Sequence, residues 1–359
     1  MWRLHLGEDR NFVLAGRMPA MLKRSSLVLA ALVGAIVLTA CGGEEATVES
    51  PASNATSAAY LDPEAAFADP EASGEDLINA WFGLLALTGR GAGEVATSSE
   101  EVEAGMAIVR PYLDPAFTLL RATGQRYTAG NYVPLDIDAF ELSDFLVTEP
   151  RDDVRVIRYF VSQPGATSPD AGTVMSDAKA PRISVFRWDE ELGHWVAVSY
   201  ANFNSAIGAI CEQEPISVSG ETPVTSPEDI ALGESLVEQW RQRVTGELKE
   251  QVLHPDAQIQ LADGQGWPTT DDEPIEWTPA QAYDFANVGV SRNGDLLVVS
   301  YDAVVSDLVM EGDEYRDTAS PRLLTYLLNS EGKWEQIALA NFNVPEGIPA
   351  DVECVSVTS

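Results

Sequence analysis

Cysteine, histidine and basic side chains are all scarce in this 359-residue chain. It has three Cys, three His, and 22 Lys plus Arg against 56 Asp plus Glu, for a formal net charge of −34. Each scarcity excludes something. The cysteines show no zinc-site spacing, and a strongly negative field repels phosphate backbones, so no nucleic-acid partner is expected. There is no Gly-rich phosphate loop and no nucleophile elbow. The acidic run TTDDEPIE from Thr269 lacks the ordered ligand alternation of a calcium loop and reads as a solvated loop. No metal or cofactor is expected. His194 and His254 have no second ligand and no base-and-nucleophile pattern nearby, which makes them surface residues.

Long apolar runs are missing as well. The longest, Leu27–Leu38, is well short of the roughly 20 residues that cross a bilayer as a helix. It follows Lys23 and Arg24 and ends in Leu38-Thr39-Ala40-Cys41, the layout of a signal peptide. That ending resembles the bacterial lipobox, which implies cleavage before Cys41, lipid such as palmitate on Cys41, and a membrane-anchored protein on the extracytoplasmic side of the cell envelope. Met21 is a better start than Met1, because the residues before it lengthen the basic region and add acids. Residues 41–73 are rich in Ala, Ser, Pro and Glu, and no Lys or Arg occurs between Cys41 and Arg90; the composition predicts a disordered acidic tether.

What is present is a repetition. WVAVSYANFN begins at Trp195 and WEQIALANFN at Trp334. Upstream, in the same order, GEDLINAWFGLL from Gly74 matches GESLVEQWRQRV from Gly233, and LDPAFTLLRATGQRY from Leu113 matches LHPDAQIQLADGQGW from Leu253. DVRVIRYFV from Asp153 then matches DLLVVSYDA from Asp295, and APRISVFRW from Ala180 matches SPRLLTYLL from Ser320. Five blocks in one order predict one domain present twice. Leu77, Ile78, Trp81, Leu84 and Leu85 form one apolar helical stripe, as do Leu236, Val237, Trp240 and Val244. The later blocks alternate as strands. Ser98 to Glu101 is a capping box opening a second helix, and the shorter second copy is expected to shorten or fuse these helices. The expected organisation is a signal peptide at 1–40, the tether at 41–73, a first domain at 74–212, a linker at 213–232 and a second domain at 233–359.

Helices followed by a series of strands, with a Trp opening the last, resemble the nuclear transport factor 2-like superfamily. The resemblance implies an α+β fold of two tandem cones, each with N-terminal helices packed on a curved antiparallel sheet. It also implies that the copies pair through their sheets as an intramolecular pseudo-dimer. The superfamily holds isomerases, dehydratases and hydrolases beside many non-enzymatic domains, so it does not choose a function. Its enzymes use carboxylates, Tyr or His projecting into the cone.

Here the pocket candidates are Tyr159, Tyr301 and Asp302, with Asn202, Asn204, Asn341 and Asn343 on one face of the closing strands. Adjacent strand residues point to opposite faces, so Tyr301 and Asp302 cannot share a pocket without a bulge. The paired Asn residues could orient a ligand or satisfy backbone where the sheet ends. Arg182 and Arg322 are expected in ion pairs, given the surplus of acids. Cys211 and Cys354, one after each closing strand, are candidates for a disulfide between copies. The leading expectation is a non-enzymatic protein binding a small apolar ligand or an envelope partner. The alternative is an isomerase, dehydratase or hydrolase acting on a hydrophobic molecule in one cone.

Overall fold

The computed structural model describes residues 62–88, 98–137, 139–170, 172–209, 225–248, 253–268, 277–307, 309–310, 313–314 and 317–343. All of them belong to one compact unit, Thr56–Ser359. The segment expected to be a signal peptide, Cys41, Cys211 and Cys354 lie outside the described residues. No described helix is long and apolar enough to cross a membrane.

The first copy contains helices α1 (Pro63–Phe67), α2 (Gly74–Thr88) and α3 (Ser99–Val109). They are followed by β1 (Leu113–Arg121), β2 (Arg126–Thr128), β3 (Glu141–Arg151), β4 (Val154–Ser162), β5 (Thr167–Ser168), β6 (Thr173–Met175), β7 (Ala180–Asp189), β8 (His194–Asn202) and β9 (Ala206–Ala209). The second contains α4 (Pro227–Val244), β10 (Leu253–Leu261), β11 (Gly266–Trp267), β12 (Trp277–Thr278), β13 (Ala282–Asn293), β14 (Leu296–Ser306), β15 (Val309–Met310), β16 (Asp313–Glu314), β17 (Ser320–Leu328) and β18 (Trp334–Asn341).

The two main sheets have the same strand order, β2-β1-β8-β7-β4-β3 and β11-β10-β18-β17-β14-β13. Each sheet contains one parallel pair, β1 with β8 and β10 with β18, where a fully antiparallel sheet was expected. The reason is topological: the hairpin series brings the last strand back beside the first, from which most of the domain separates it. Corresponding bulges bend β3 and β13, with Asp144 at φ 55° and Asn287 at φ 57°. The repetition read in the sequence thus reappears in strand order and bulge position.

Capping sets where the helices begin. Ser73 Oγ accepts the amide of Asp76 at 3.1 Å, and Ser98 and Glu101 form the reciprocal capping box at the start of α3. The predicted stripe of α2 is wholly buried, each of its five residues at 2% exposure or less. Gly74 and Gly233 are the contact points of helix on sheet: a Cβ there would lie 2.6 Å from Val147 and 2.4 Å from Val290, themselves equivalent positions. That close approach explains why both helical blocks begin with Gly.

Two boundaries move. The stretch expected to be tether carries α1, whose Phe67 is fully buried with its ring 4.6 Å from that of Tyr112, and the Trp195 indole donates to the Asp69 carbonyl at 2.9 Å. The stretch expected to be linker holds the first turns of α4, capped by Ser226 onto Asp229. In both places Pro at the first helical turn and acids beside the cap favour a helix in otherwise polar sequence.

Each sheet uses its two faces differently. The inner faces meet the helices; the outer faces meet each other. Val154, Val156, Ile183, Val185 and Val198 pack with Leu296, Val298, Leu323, Leu327 and Ile337 in one core. The Phe residues of the two Ala-Asn-Phe-Asn motifs, Phe203 and Phe342, stack with centroids 4.3 Å apart. Equivalent polar pairs flank them: Thr118 donates to Ser291 at 3.1 Å, and Gln258 donates to Thr148 at 2.9 Å. Such reciprocity is the mark of an isologous contact, here made within one chain.

Candidate functional site

With the outer faces joined, the space between helix and sheet is where a ligand could be held, and the two copies fill it differently. In copy one it is packed with rings. Trp81 lies 6.1 Å from Tyr200 and 6.3 Å from Phe117, and Phe82 lies 6.1 Å from Tyr159, all centroid to centroid and all buried. The Tyr159 hydroxyl sits 3.3 Å from Ser184 Oγ. A cleft outside this core, lined by Thr88, Glu101, Gly105 and Asp136 among others, has room for about one water molecule.

Arg182 runs through the inner face fully buried, on neutral partners. It donates to the Tyr200 hydroxyl (3.1 Å), the Pro181 carbonyl (2.8 Å), Gln163 Oε1 (2.9 Å) and Asn204 Oδ1. The expected ion pair is absent among the described residues, because side-chain and backbone oxygens supply the acceptors locally. Asn204 also donates to the Ser176 carbonyl at 2.7 Å, and its amide is held by Asn202 Oδ1 at 2.9 Å. Asn341 Oδ1 accepts the Asn343 amide at the same 2.9 Å. These contacts assign Asn202, Asn204 and Asn341 to finishing the closing strands, and Asn343 is buried beside them.

Copy two keeps the arginine and changes its surroundings. Strand register equates Arg182 with Arg322, since they pair with Tyr159 and Tyr301 respectively. By the same register Gln163, Ser184 and Tyr200 correspond to Val305, Leu324 and Leu339, so three polar side chains become apolar. In exchange, Phe140 becomes Tyr283 and Phe186 becomes Tyr326. The Tyr283 and Tyr301 hydroxyls are 2.8 Å apart. Arg322, 2% exposed, donates to Ser320 Oγ (2.7 Å) and to the Ser320 and Pro321 carbonyls, and the Tyr283 hydroxyl hydrogen-bonds it as well, with no carboxylate in a salt bridge to it among the described residues. The Tyr326 hydroxyl is buried without a partner.

Burial sets the protonation of this group. Desolvation raises the pKa of Tyr283, Tyr301 and Tyr326, Tyr301 well above its ordinary value, and lowers that of Arg322. The phenols therefore act as neutral hydrogen-bonding groups at physiological pH. Asp302 is elsewhere: it lies on the strand face opposite Tyr301, part-exposed, and accepts from Asn287 Nδ2 at 2.8 Å. The one acid proposed for a pocket is thus outside the space that Tyr301 faces. His194 contacts the Trp195 carbonyl and His254 accepts the Asp256 amide, both local turn contacts.

Sequence reasoning missed Tyr283, Tyr326 and the neutral partners of Arg322. The signal was available in the aligned blocks, as Phe186 against Tyr326, but its meaning depends on which face of the strand is inner.

A scan against protein-family models finds no match, and no curated protein matches. Solved structures similar to part of the chain include a Parabacteroides distasonis protein named as a candidate ketosteroid isomerase, at 11% identity, covering 35% of this chain and 83% of that one with a TM-score of 0.23. A nuclear transport factor 2-like protein from Cytophaga hutchinsonii shows 14% identity over 30% and 85% of the two chains, TM-score 0.23. One of unknown function from Prochlorococcus shows 15% identity over 37% and 93%, TM-score 0.23. Likeness at this level carries no argument about activity.

Proposed function

We propose that this is a lipid-anchored extracytoplasmic binding protein, built as an intramolecular pair of nuclear transport factor 2-like domains, in which copy one is a scaffold and copy two receives the ligand. Lipid on Cys41 tethers the chain, and a Cys211–Cys354 disulfide belongs to the same reading. The observation that carries binding over catalysis is the makeup of the copy-two interior: phenols held protonated, an arginine on neutral acceptors, and Asp302 on the other strand face. An isomerase, dehydratase or hydrolase would need a base at the reacting atom, and a phenol with a raised pKa is a poor one at neutral pH.

Native mass spectrometry of the chain purified from the periplasm under non-reducing conditions tests this. A small-molecule adduct lost on denaturation is the expected result; a bare mass across several hosts would overturn the ligand-binding reading in favour of a purely structural pair. Incorporation of labelled palmitate, abolished by Cys41→Ala, is the expected result for the anchor, and no incorporation in a lipoprotein-processing host would sink it.

A further inference from the structure

The junction of the outer faces has two equivalent ends, and each holds one guanidinium. At the first end Arg158 of β4 lies against Gly266 of β11; at the second Arg126 of β2 lies against Gly289, whose partner across the ladder is Ser300. Register makes Arg126 the counterpart of Gly266, and Ser300 the counterpart of Arg158. The two ends therefore use the same positions, with the arginine supplied from opposite sides. Their bonding differs. Arg158 gives one terminal nitrogen to the Ile259 carbonyl and the other to the Pro268 carbonyl, at 2.8 Å each. Arg126 makes no hydrogen bond and no ion pair among the described residues: its Nε is buried without a partner, its two terminal nitrogens are left to solvent, and burial alone acts on its pKa. Every other described arginine has at least one partner. The second end is also the more open. A Cβ at Gly264 would lie 3.1 Å from the Phe160 ring, whereas one at the corresponding Gly124 would meet nothing, and Asp302 stands where copy one has Phe160. The result is a surface notch beside Gly289 with the free edge of a guanidinium in it.

We propose that this notch binds the carboxylate of a small monoanion, held by the two terminal nitrogens of Arg126. The other end of the junction is the template: there the same two nitrogens meet two oxygens, and a carboxylate brings two oxygens in one planar group that matches the guanidinium fork. Half-buried, the Arg126 guanidinium has lost part of its water without gaining a protein acceptor, and a charge-assisted hydrogen bond offsets that loss. The surroundings select a single negative charge. The chain carries −34, and Asp302 lies two residues from Ser300 on the same strand face, so a second charge on the ligand would meet repulsion without a second cation. The first end is closed to the same ligand because Arg158 already holds its two carbonyls, which leaves one site per chain. The site lies at the surface and stands independently of the copy-two interior discussed above.

The test is an NMR titration of the full chain, followed at the Gly124 and Gly289 backbone amides, in which sodium acetate or sodium sulfate replaces sodium chloride at constant ionic strength. In wild type both amides should shift along one saturating curve with acetate, half-saturated on the order of 1–10 mM, and sulfate should bind more weakly than acetate. Arg126→Gln should abolish the saturable shift. It breaks no protein hydrogen bond, and unchanged amide positions elsewhere check that it folds. Arg126→Lys keeps the charge but loses the fork, and should weaken acetate by about three- to tenfold. Arg110→Gln, which removes an exposed arginine paired with Glu103, should leave the curve unchanged. A linear shift, the same curve in Arg126→Gln, undiminished binding by Arg126→Lys, or tighter binding of sulfate than of acetate would overturn the assignment.

Discussion

The two copies share strand order, bulges and a helix-anchoring glycine, yet they have diverged in complementary directions. Copy one is reinforced: α1 and α3 cover it, Trp195 is sealed against the Asp69 carbonyl, and its inner face is filled with rings. Copy two has α4 alone among its described helices, and its Trp334 is part-exposed with Arg292 5.3 Å above its ring. The outer faces have diverged too. Arg126 of copy one lies against Gly289 of copy two, and Arg158 of copy one lies against Gly266, which is the counterpart of Arg126. Arg158 donates to the Ile259 and Pro268 carbonyls at 2.8 Å each, and burial lowers its pKa to about 10. One partner supplies arginines and the other supplies the room for them. Two copies of either domain would meet with arginine facing a side chain or glycine facing glycine. This exchange fits each sheet to the other.

The largest expected effect that would break the comparison comes from the anchoring indoles. Trp81→Ala should cost about 3–5 kcal/mol in urea unfolding, and Trp240→Ala less, because Trp81 is fully buried whereas Trp240, on α4, retains 6% exposure. Equal costs would mean that the extra helices of copy one add nothing to its core.

Next is the junction. A Cβ at Gly266 would lie 1.8 Å from the Arg158 guanidinium and 2.6 Å from the Ile259 carbonyl, so Gly266→Val should destabilise by about 1–3 kcal/mol. The companion change Arg158→Ala should recover only part of that loss, since the Ile259 backbone cannot withdraw. Full recovery in a double-mutant cycle would show that the arginine alone shapes the site.

Ser98→Ala removes the cap of the helix that copy two lacks and should cost about 1 kcal/mol, read as a lower midpoint. No change would show α3 to be marginal to copy one.

The smallest effect at any single pH concerns Asp114, which joins the copies by accepting from Arg187 and, at 3.2 Å, from Asn293. Burial raises its pKa despite these donors. Folding then favours the protonated form, so its contribution is fully present below the unfolded value near about 3.9 and is lost as pH rises through the folded value. Asp114→Asn should therefore gain on wild type as pH climbs from about 4 through the acidic range, followed as the difference in melting temperature. A difference that shrinks with pH would show that the Arg187 pair outweighs desolvation.

Much of this fold was legible in the sequence. The helix stripes on Trp81 and Trp240, the capping box at Ser98 and the strand alternation that places Ala201 and Phe203 opposite Asn202 and Asn204 all follow from local periodicity, and all are seen in the structure. These features depend on residues close in sequence, whose spacing a helix or strand turns directly into a face. Local chemistry also carries α1 and the start of α4, but Phe67 is a lone apolar residue in a polar stretch, and its meaning comes from Tyr112 and Phe186 reaching it across the fold.

The sequence by itself determined that five blocks recur in one order, where their helices and strands run, and which residues alternate inward and outward. Only the tertiary structure decided what those faces meet. Phe203 finds Phe342 because the outer faces close on each other, and Arg182 and Arg322 take different neutral partners because of side chains drawn from different strands. Periodicity reports on neighbours along the chain. The partners of a buried charge are set by strand register between segments far apart in sequence, and register is fixed only when the whole sheet is assembled.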